Sequence, residues 1–196
     1  FITTIFIIFL YSGANIRLFD SFNLAFTTIS SGGFLPKNSL SLIVNNNFKV
    51  LVLSTSLLFP IFNFYLLFKI FSNQFKIQDH QEDLHLGIII IILTLFFYFF
   101  FIPNEGIADV FLAITSSIST SGITTYSSFL RFPNIDISIL CILLTIIGGS
   151  LLSTSSGVKY IRFYILLKIS YQEIYKVVKP INIFDRNLFN SDIKID

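Results

Sequence analysis

The chain has 196 residues, of which 54% are hydrophobic and only 12% charged, with a formal net charge of +2 and a mean hydropathy of +0.79. A soluble domain of this length is not built from so apolar a sequence, so the expected class is an all-α polytopic membrane protein whose first partner is the lipid bilayer. The single cysteine, Cys141, excludes an intrachain disulfide and a cysteine-based zinc site.

Four stretches run without a charged residue for about the 17 to 25 residues that a bilayer-crossing helix needs. They are Phe1 to Ile16, Val50 to Phe68, Leu86 to Asn104 and Ile137 to Val158. The first lacks the basic flank and small-residue cleavage site of a secretory signal. The chain contains no Met and starts inside an apolar run, so it reads as an internal fragment. Lys69, Lys76, Lys159, Arg162, Lys168, Lys176, Lys179, Arg186 and Lys194 fall on one side of these spans. Arg17, Lys37, Lys49 and Arg131 fall on the other, so the richer side faces the cytoplasm. No aromatic-interleaved basic groove is present, which removes nucleic acid as a partner.

Between the spans lies a repeat. Asp20 to Phe34 (DSFNLAFTTISSGGF) matches Asp109 to Ile123 (DVFLAITSSISTSGI) at an offset of 89 residues without a gap. Asp20, Phe22, Ile29, Ser30 and Gly33 fall on Asp109, Phe111, Ile118, Ser119 and Gly122. Each copy sits between two apolar spans and is followed by a polar outer stretch, Leu35 to Asn47 or Thr124 to Asp136. The predicted short helices, 20–29 and 109–118, are too brief to cross a core of about 30 Å, so they enter and return. Irregular backbone at membrane depth survives only inside protein or beside a water-filled cavity. Asp20 and Asp109 are expected to cap these helices at their N-termini rather than to relay protons.

The stretches Ile29-Ser30-Ser31-Gly32-Gly33 and Ile118-Ser119-Thr120-Ser121-Gly122 contain no carboxylate. Their carbonyl oxygens suit a weakly hydrated monovalent cation better than a divalent one. Close helix packing by small residues is the competing use of the same composition. Further on, Gly148-Gly149 and Ser153-Thr154-Ser155-Ser156-Gly157 interrupt an apolar run with poor helix formers, so the helix is expected to break there. Lys159 follows the break, either as a cytoplasmic-side anchor or close enough to an ion path to repel cations.

These motifs resemble the TrkH/KtrB family of potassium transporters. FTTISSGGF (Phe26 to Phe34) is similar to that family's second filter and SISTSGITT (Ser117 to Thr125) to its third. GGSLLSTSSGVKYIRFYILLK (Gly148 to Lys168) is similar to the glycine-rich break of the third inner helix, although Leu151-Leu152 and Ser155-Ser156 stand where the family has smaller residues. The resemblance implies four repeats of outer helix, pore helix, filter and inner helix, with parts of the second and third represented. It also implies filter glycines at Gly33 and Gly122 and a gate loop of Gly148, Gly149, Ser153, Thr154, Ser155, Ser156, Gly157 and Lys159. It further implies a homodimer in the bacterial inner membrane and a cytoplasmic nucleotide-binding regulatory subunit docking near Ser170 to Arg186. No bound cofactor is expected, only transported K⁺, with Na⁺ the other candidate.

The predicted organisation is a partial unit over 1–72 with pore helix 20–29, filter 29–34 and inner helix 46–71, then a cytoplasmic linker over 73–85. A second unit over 86–170 has outer helix 86–102, pore helix 109–118, filter 118–123 and broken inner helix 136–170, and a connector covers 171–196. Pro60 and Asn63 predict a kink in the first inner helix. His80, Glu82, Asp83 and His85 lack the spacing of a zincin and read as a solvated connector. GxxxxGK[ST] and GxGxxG are both missing, and no catalytic constellation is visible. A secondary permease with broken helices, and a non-conducting interaction subunit or decayed remnant, are the competing classes.

Overall fold

The computed structural model describes residues 1–65, 69, 80–100, 106–124 and 135–178, with backbone alone at 135–138 and 178. Every described element is a helix: α1 (Ile2–Gly13), α2 (Leu18–Ile29), a 3-10 turn (Leu40–Leu42), α3 (Asn47–Ser56), α4 (Leu58–Ile61), α5 (Gln81–Phe100), α6 (Ile107–Ile118), α7 (Ile135–Ile147) and α8 (Tyr160–Val178). The fold is all-α. The bounds of α2 and α6 differ by 89 residues at both ends, so the repeat seen in the sequence is a repeat of structure.

Both short helices start two residues before the predicted position. Arg17 and Gly106 occupy the N-cap positions and neither cap makes a side-chain hydrogen bond. The expectation that Asp20 and Asp109 are N-caps is therefore corrected: each is the third residue of its helix. The physical reason for an acid there is nearly the same, since a carboxylate within the first turn still meets the positive end of the helix dipole. Asp20 is buried and its Oδ2 lies 3.7 Å from Lys37 Nζ, which ties the segment after the first turn to the start of α2.

Helix α1 packs on α2 and α3, α5 packs on α6 and α8, and α6 also packs on α3, α4 and α7. Two cores result. The first gathers Ile7, Tyr11, Leu24, Leu40, Val50, Leu53 and Leu57 around Ala108 and Leu112 of α6. The second gathers Ile61, Leu86, Ile90, Phe97, Leu144 and Tyr160 around Val110, Ile114 and Ile118 of α6. Helix α6 is thus a shared wall, and inside the first core the Tyr11 hydroxyl meets Ser56 Oγ at 2.5 Å.

The outward surface is as apolar as the cores. Phe6 and Phe9 of α1, Ile88, Ile91, Leu95 and Phe99 of α5, and Ile142 and Ile146 of α7 are all exposed. Such a surface is stable against lipid and not against water. Among the described residues, α5 is the one helix long and apolar enough to cross a membrane unaided.

Several boundaries differ from expectation. The linker drawn over 73–85 is helical from Gln81 onward, because Glu82 and Asp83 start α5 five residues before its apolar run. The first inner helix is not merely kinked at Pro60: α3 stops at Ser56, and α4 ends at Ile61 with Phe62 extended (φ −81°, ψ 163°). The broken second inner helix continues to Val178, eight residues past its predicted end at 170. The predicted stretches 66–68, 70–79, 101–105, 125–134 and 179–196 lie outside the described residues.

Candidate functional site: two matched loops and the broken helix beside them

After α2 and after α6 the chain makes the same turn, bond for bond. In the first copy Ser31 N donates to the Thr28 carbonyl at 3.2 Å and Gly32 N to the Thr27 carbonyl at 2.9 Å. In the second, Thr120 N donates to the Ser117 carbonyl and Ser121 N to the Ser116 carbonyl, both at 3.1 Å. This is the Schellman pairing, which requires a left-handed residue just past the helix. That residue is Ser31 (φ 52°) in one copy and Thr120 (φ 60°) in the other. Two residues on, Gly33 (φ 70°) and Gly122 (φ 65°) take the left-handed form again. The alternation of left-handed residues turns the backbone at 31, 33, 120 and 122, and at 31 and 120 it does so with a side chain that the conformation disfavours.

The two loops lie against each other. A Cβ on Gly33 would overlap the Ser121 carbonyl oxygen, whereas a Cβ on Gly122 would meet nothing within 4 Å. Their hydroxyls differ as well. Ser121 Oγ lies 2.9 Å from Ser119 Oγ and 3.3 Å from Ser116 Oγ. The matching first-copy residues are Gly32, Ser30 and Thr27, and with no hydroxyl at 32 the buried Thr27 Oγ1 has no partner among the described residues.

The break after α7 is a loop closed at its neck. Val158 N donates to the Ile146 carbonyl at 2.8 Å and Tyr160 N to the Gly149 carbonyl at 2.9 Å, so α8 resumes directly from where α7 ended. Gly148 (φ 69°) and Gly157 (φ 97°) make the crossing possible. A Cβ on Gly148 would strike the Ser156 carbonyl oxygen, and one on Gly157 would lie 2.8 Å from the Ile146 carbonyl oxygen. Inside the loop, Ser155 Oγ accepts from Gly149 N at 2.9 Å and Ser153 Oγ donates to the Ser150 carbonyl at 2.6 Å.

This loop reaches both matched turns. Thr154 Oγ1 donates to the Ile29 carbonyl at 2.8 Å. Ser156 bonds Thr120 Oγ1 through its backbone N at 3.2 Å and through its hydroxyl at 3.0 Å. The residues singled out at 29–33, 118–122 and 148–159 are therefore brought together in space, although no short sequence pattern connects them.

Four residues of the assembly were not singled out as site residues. The carbonyls of Pro60 and Ile61, left open where α4 stops, accept from Ser155 N at 3.2 Å and Ser150 N at 2.9 Å. From the start of α5, Glu82 Oε1 accepts from Leu151 N at 2.9 Å and Asp83 Oδ1 accepts from Asn63 N at 3.0 Å. Adjacent acids thus hold the breaks of both inner helices. His80 and Asp83 are buried, with His80 Nδ1 3.4 Å from Asp83 Oδ2, so the solvated connector expected at His80 to Asp83 is corrected. Acidic residues just ahead of an apolar run are a helix-start signal, and that signal was available in the sequence.

No family model matches the chain. It is 27% identical over 172 residues to a protein of Methanocaldococcus jannaschii described as an uncharacterized cation transporter, a match covering 85% of this chain and 34% of that protein. The structure superposes on the crystal structure of the potassium transporter TrkH from Vibrio parahaemolyticus with a TM-score of 0.83 and 23% identity, over 97% of this chain and 42% of that one. The fold is that of TrkH. This chain spans about a third of the length of its curated relative and under half that of TrkH. The outward apolar surface described above fits surroundings of lipid and not of water.

Proposed function

We propose that this chain is part of a cation-translocating membrane protein, that the turns at 29–33 and 118–122 are two of its filter loops, and that 148–159 is its gate loop. The observation that carries the reading is the convergence of two turns with one shared backbone path, spanned by one loop that bonds to both. Carbonyl oxygens on adjacent left-handed turns are suited to replacing the hydration shell of K⁺, with no carboxylate to favour a divalent ion. Uptake would draw on the membrane potential, about 2.3 kcal/mol per charge per 100 mV. In this reading the protein is a multi-pass transporter of a bacterial inner membrane and not an enzyme. It works as a homodimer with a nucleotide-binding regulatory subunit on the cytoplasmic side, and it binds no cofactor beyond the K⁺ it moves.

Potassium-dependent growth of an uptake-deficient bacterium carrying the full reading frame tests this. The frame is expected to rescue growth at low K⁺, and Gly122→Ser is expected to abolish rescue at equal expression. The space beside Gly122 is open, so the substitution acts through its φ of +65° and not through a clash. A well-expressed full frame that does not rescue overturns transport. Intact rescue by Gly122→Ser overturns the filter assignment.

A further inference from the structure

Lys159 is placed against two preferences at once. Its φ is +75°, in the left-handed region that L side chains avoid. It stands immediately ahead of α8 (Tyr160–Val178), where the positive end of the helix dipole disfavours a cation. A residue held in such a setting persists only when its surroundings over-determine it. The surroundings are the loop it closes: Lys159 Nζ donates to the Ser153 carbonyl at 3.0 Å, to Ser153 Oγ at 3.1 Å and to the Ser155 carbonyl.

None of these acceptors is a carboxylate. Two carbonyls and a hydroxyl converging on one positive charge are the oxygen set that dehydrates a monovalent cation. The same short stretch, through Thr154 and Ser156, is bonded to the Ile29 carbonyl and to Thr120 of the two matched turns. We infer that the turn at Ser153–Ser155 is a monovalent-cation site next to the filter loops, and that the Lys159 ammonium is its tethered occupant. The inference rests on the filter-and-gate reading above. While the ammonium is seated it takes the oxygens that a passing ion would use and repels the ion behind it. When it swings away on its flexible stem, three oxygens are left for K⁺.

The test uses the full reading frame, purified and reconstituted, with Lys159→Met to keep the stem and remove the charge. Two quantities are read: rubidium flux into liposomes, and the melting temperature in KCl compared with N-methylglucamine chloride. Lys159→Met is expected to raise flux about tenfold, as for an equilibrium released by the loss of one competitor. Its melting temperature is expected to rise in K⁺ by about 2 °C or more beyond the rise shown by the wild type, because an ion now binds where the ammonium sat. Lys159→Arg, which keeps the charge, is expected to show no such extra K⁺ dependence.

A Lys159→Met protein that melts lower by the same amount in both salts, with flux unchanged or reduced, overturns the inference and makes Lys159 a structural brace. If the wild type carries no rubidium, the transport reading fails instead, and the melting comparison alone decides the cation site.

Discussion

The two matched turns and the two broken inner helices diverge to very different degrees. Across 89 residues the turns keep the same helix bounds, the same two Schellman bonds and left-handed residues at the same two positions, while only the residues at 31 and 32 differ from those at 120 and 121. The breaks keep only their place. Phe62, where the first inner helix ends, falls on Leu151 of the second at the same offset. The first break is a short step with Phe62 extended, whereas the second is a closed loop from Gly148 to Lys159 that reaches across to the turns. Backbone geometry is held at the two turns that lie against each other, and length changes where the chain is only interrupted.

The largest test of that contrast is Gly33→Ala set beside Gly122→Ala. Both put a side chain at positive φ, which costs about 1–2 kcal/mol, but only Gly33 adds overlap with the Ser121 carbonyl oxygen. Gly33→Ala is expected to lose about 3 kcal/mol or more and Gly122→Ala about half that, read as unfolding in detergent. Equal losses would mean that the two turns are not pressed together.

Next comes Glu82→Ala, which leaves the Leu151 N–H without its acceptor and is expected to cost about 1–3 kcal/mol. It should also raise cation leak through the full protein, since it loosens the second break. Glu82→Gln keeps an acceptor oxygen and should recover most of both effects. Leak equal to wild type in Glu82→Ala would remove α5 from control of the loop.

The smallest effect is Gly32→Ser. Gly32 is not in the left-handed region, but a Cβ there would lie 3.0 Å from Ser30 Oγ and 3.3 Å from the Phe34 ring, so both side chains have to yield before an added hydroxyl can bond as Ser121 does in the second turn. The added hydroxyl is expected to stabilise the first turn by about 0.5–1 kcal/mol. Destabilisation would show that the turns differ in more than this one group.

Much of this was legible in the sequence, for a physical reason in each case. Helices α2 and α6 were visible because the same residue types recur at a fixed offset, and the break after α7 because Gly148-Gly149 and the serine run oppose helix formation locally. The true helix starts at Leu18 and Ile107 were missed because no capping side chain marks Arg17 or Gly106. The end of α4, the roles of the Pro60 and Ile61 carbonyls, and the Glu82 and Asp83 caps were missed because in each a backbone group meets a partner far along the chain. A carbonyl oxygen has no letter in the alphabet of side chains, so pairings such as Ile61 with Ser150 leave no local trace.

Helix α6 gives Ala108 and Leu112 to one core and Val110, Ile114 and Ile118 to the other. It therefore behaves mechanically like a shared beam. Any motion that re-spaced the two turns would have to shear both cores in the same step, and close-packed interiors resist that strongly. The loop at 148–157 meets that frame through hydrogen bonds, at Ile29, Pro60, Ile61, Glu82 and Thr120, and such bonds can exchange while the frame stays fixed. A pore built on this plan would keep its gauge constant through the working cycle and vary only what stands in the way.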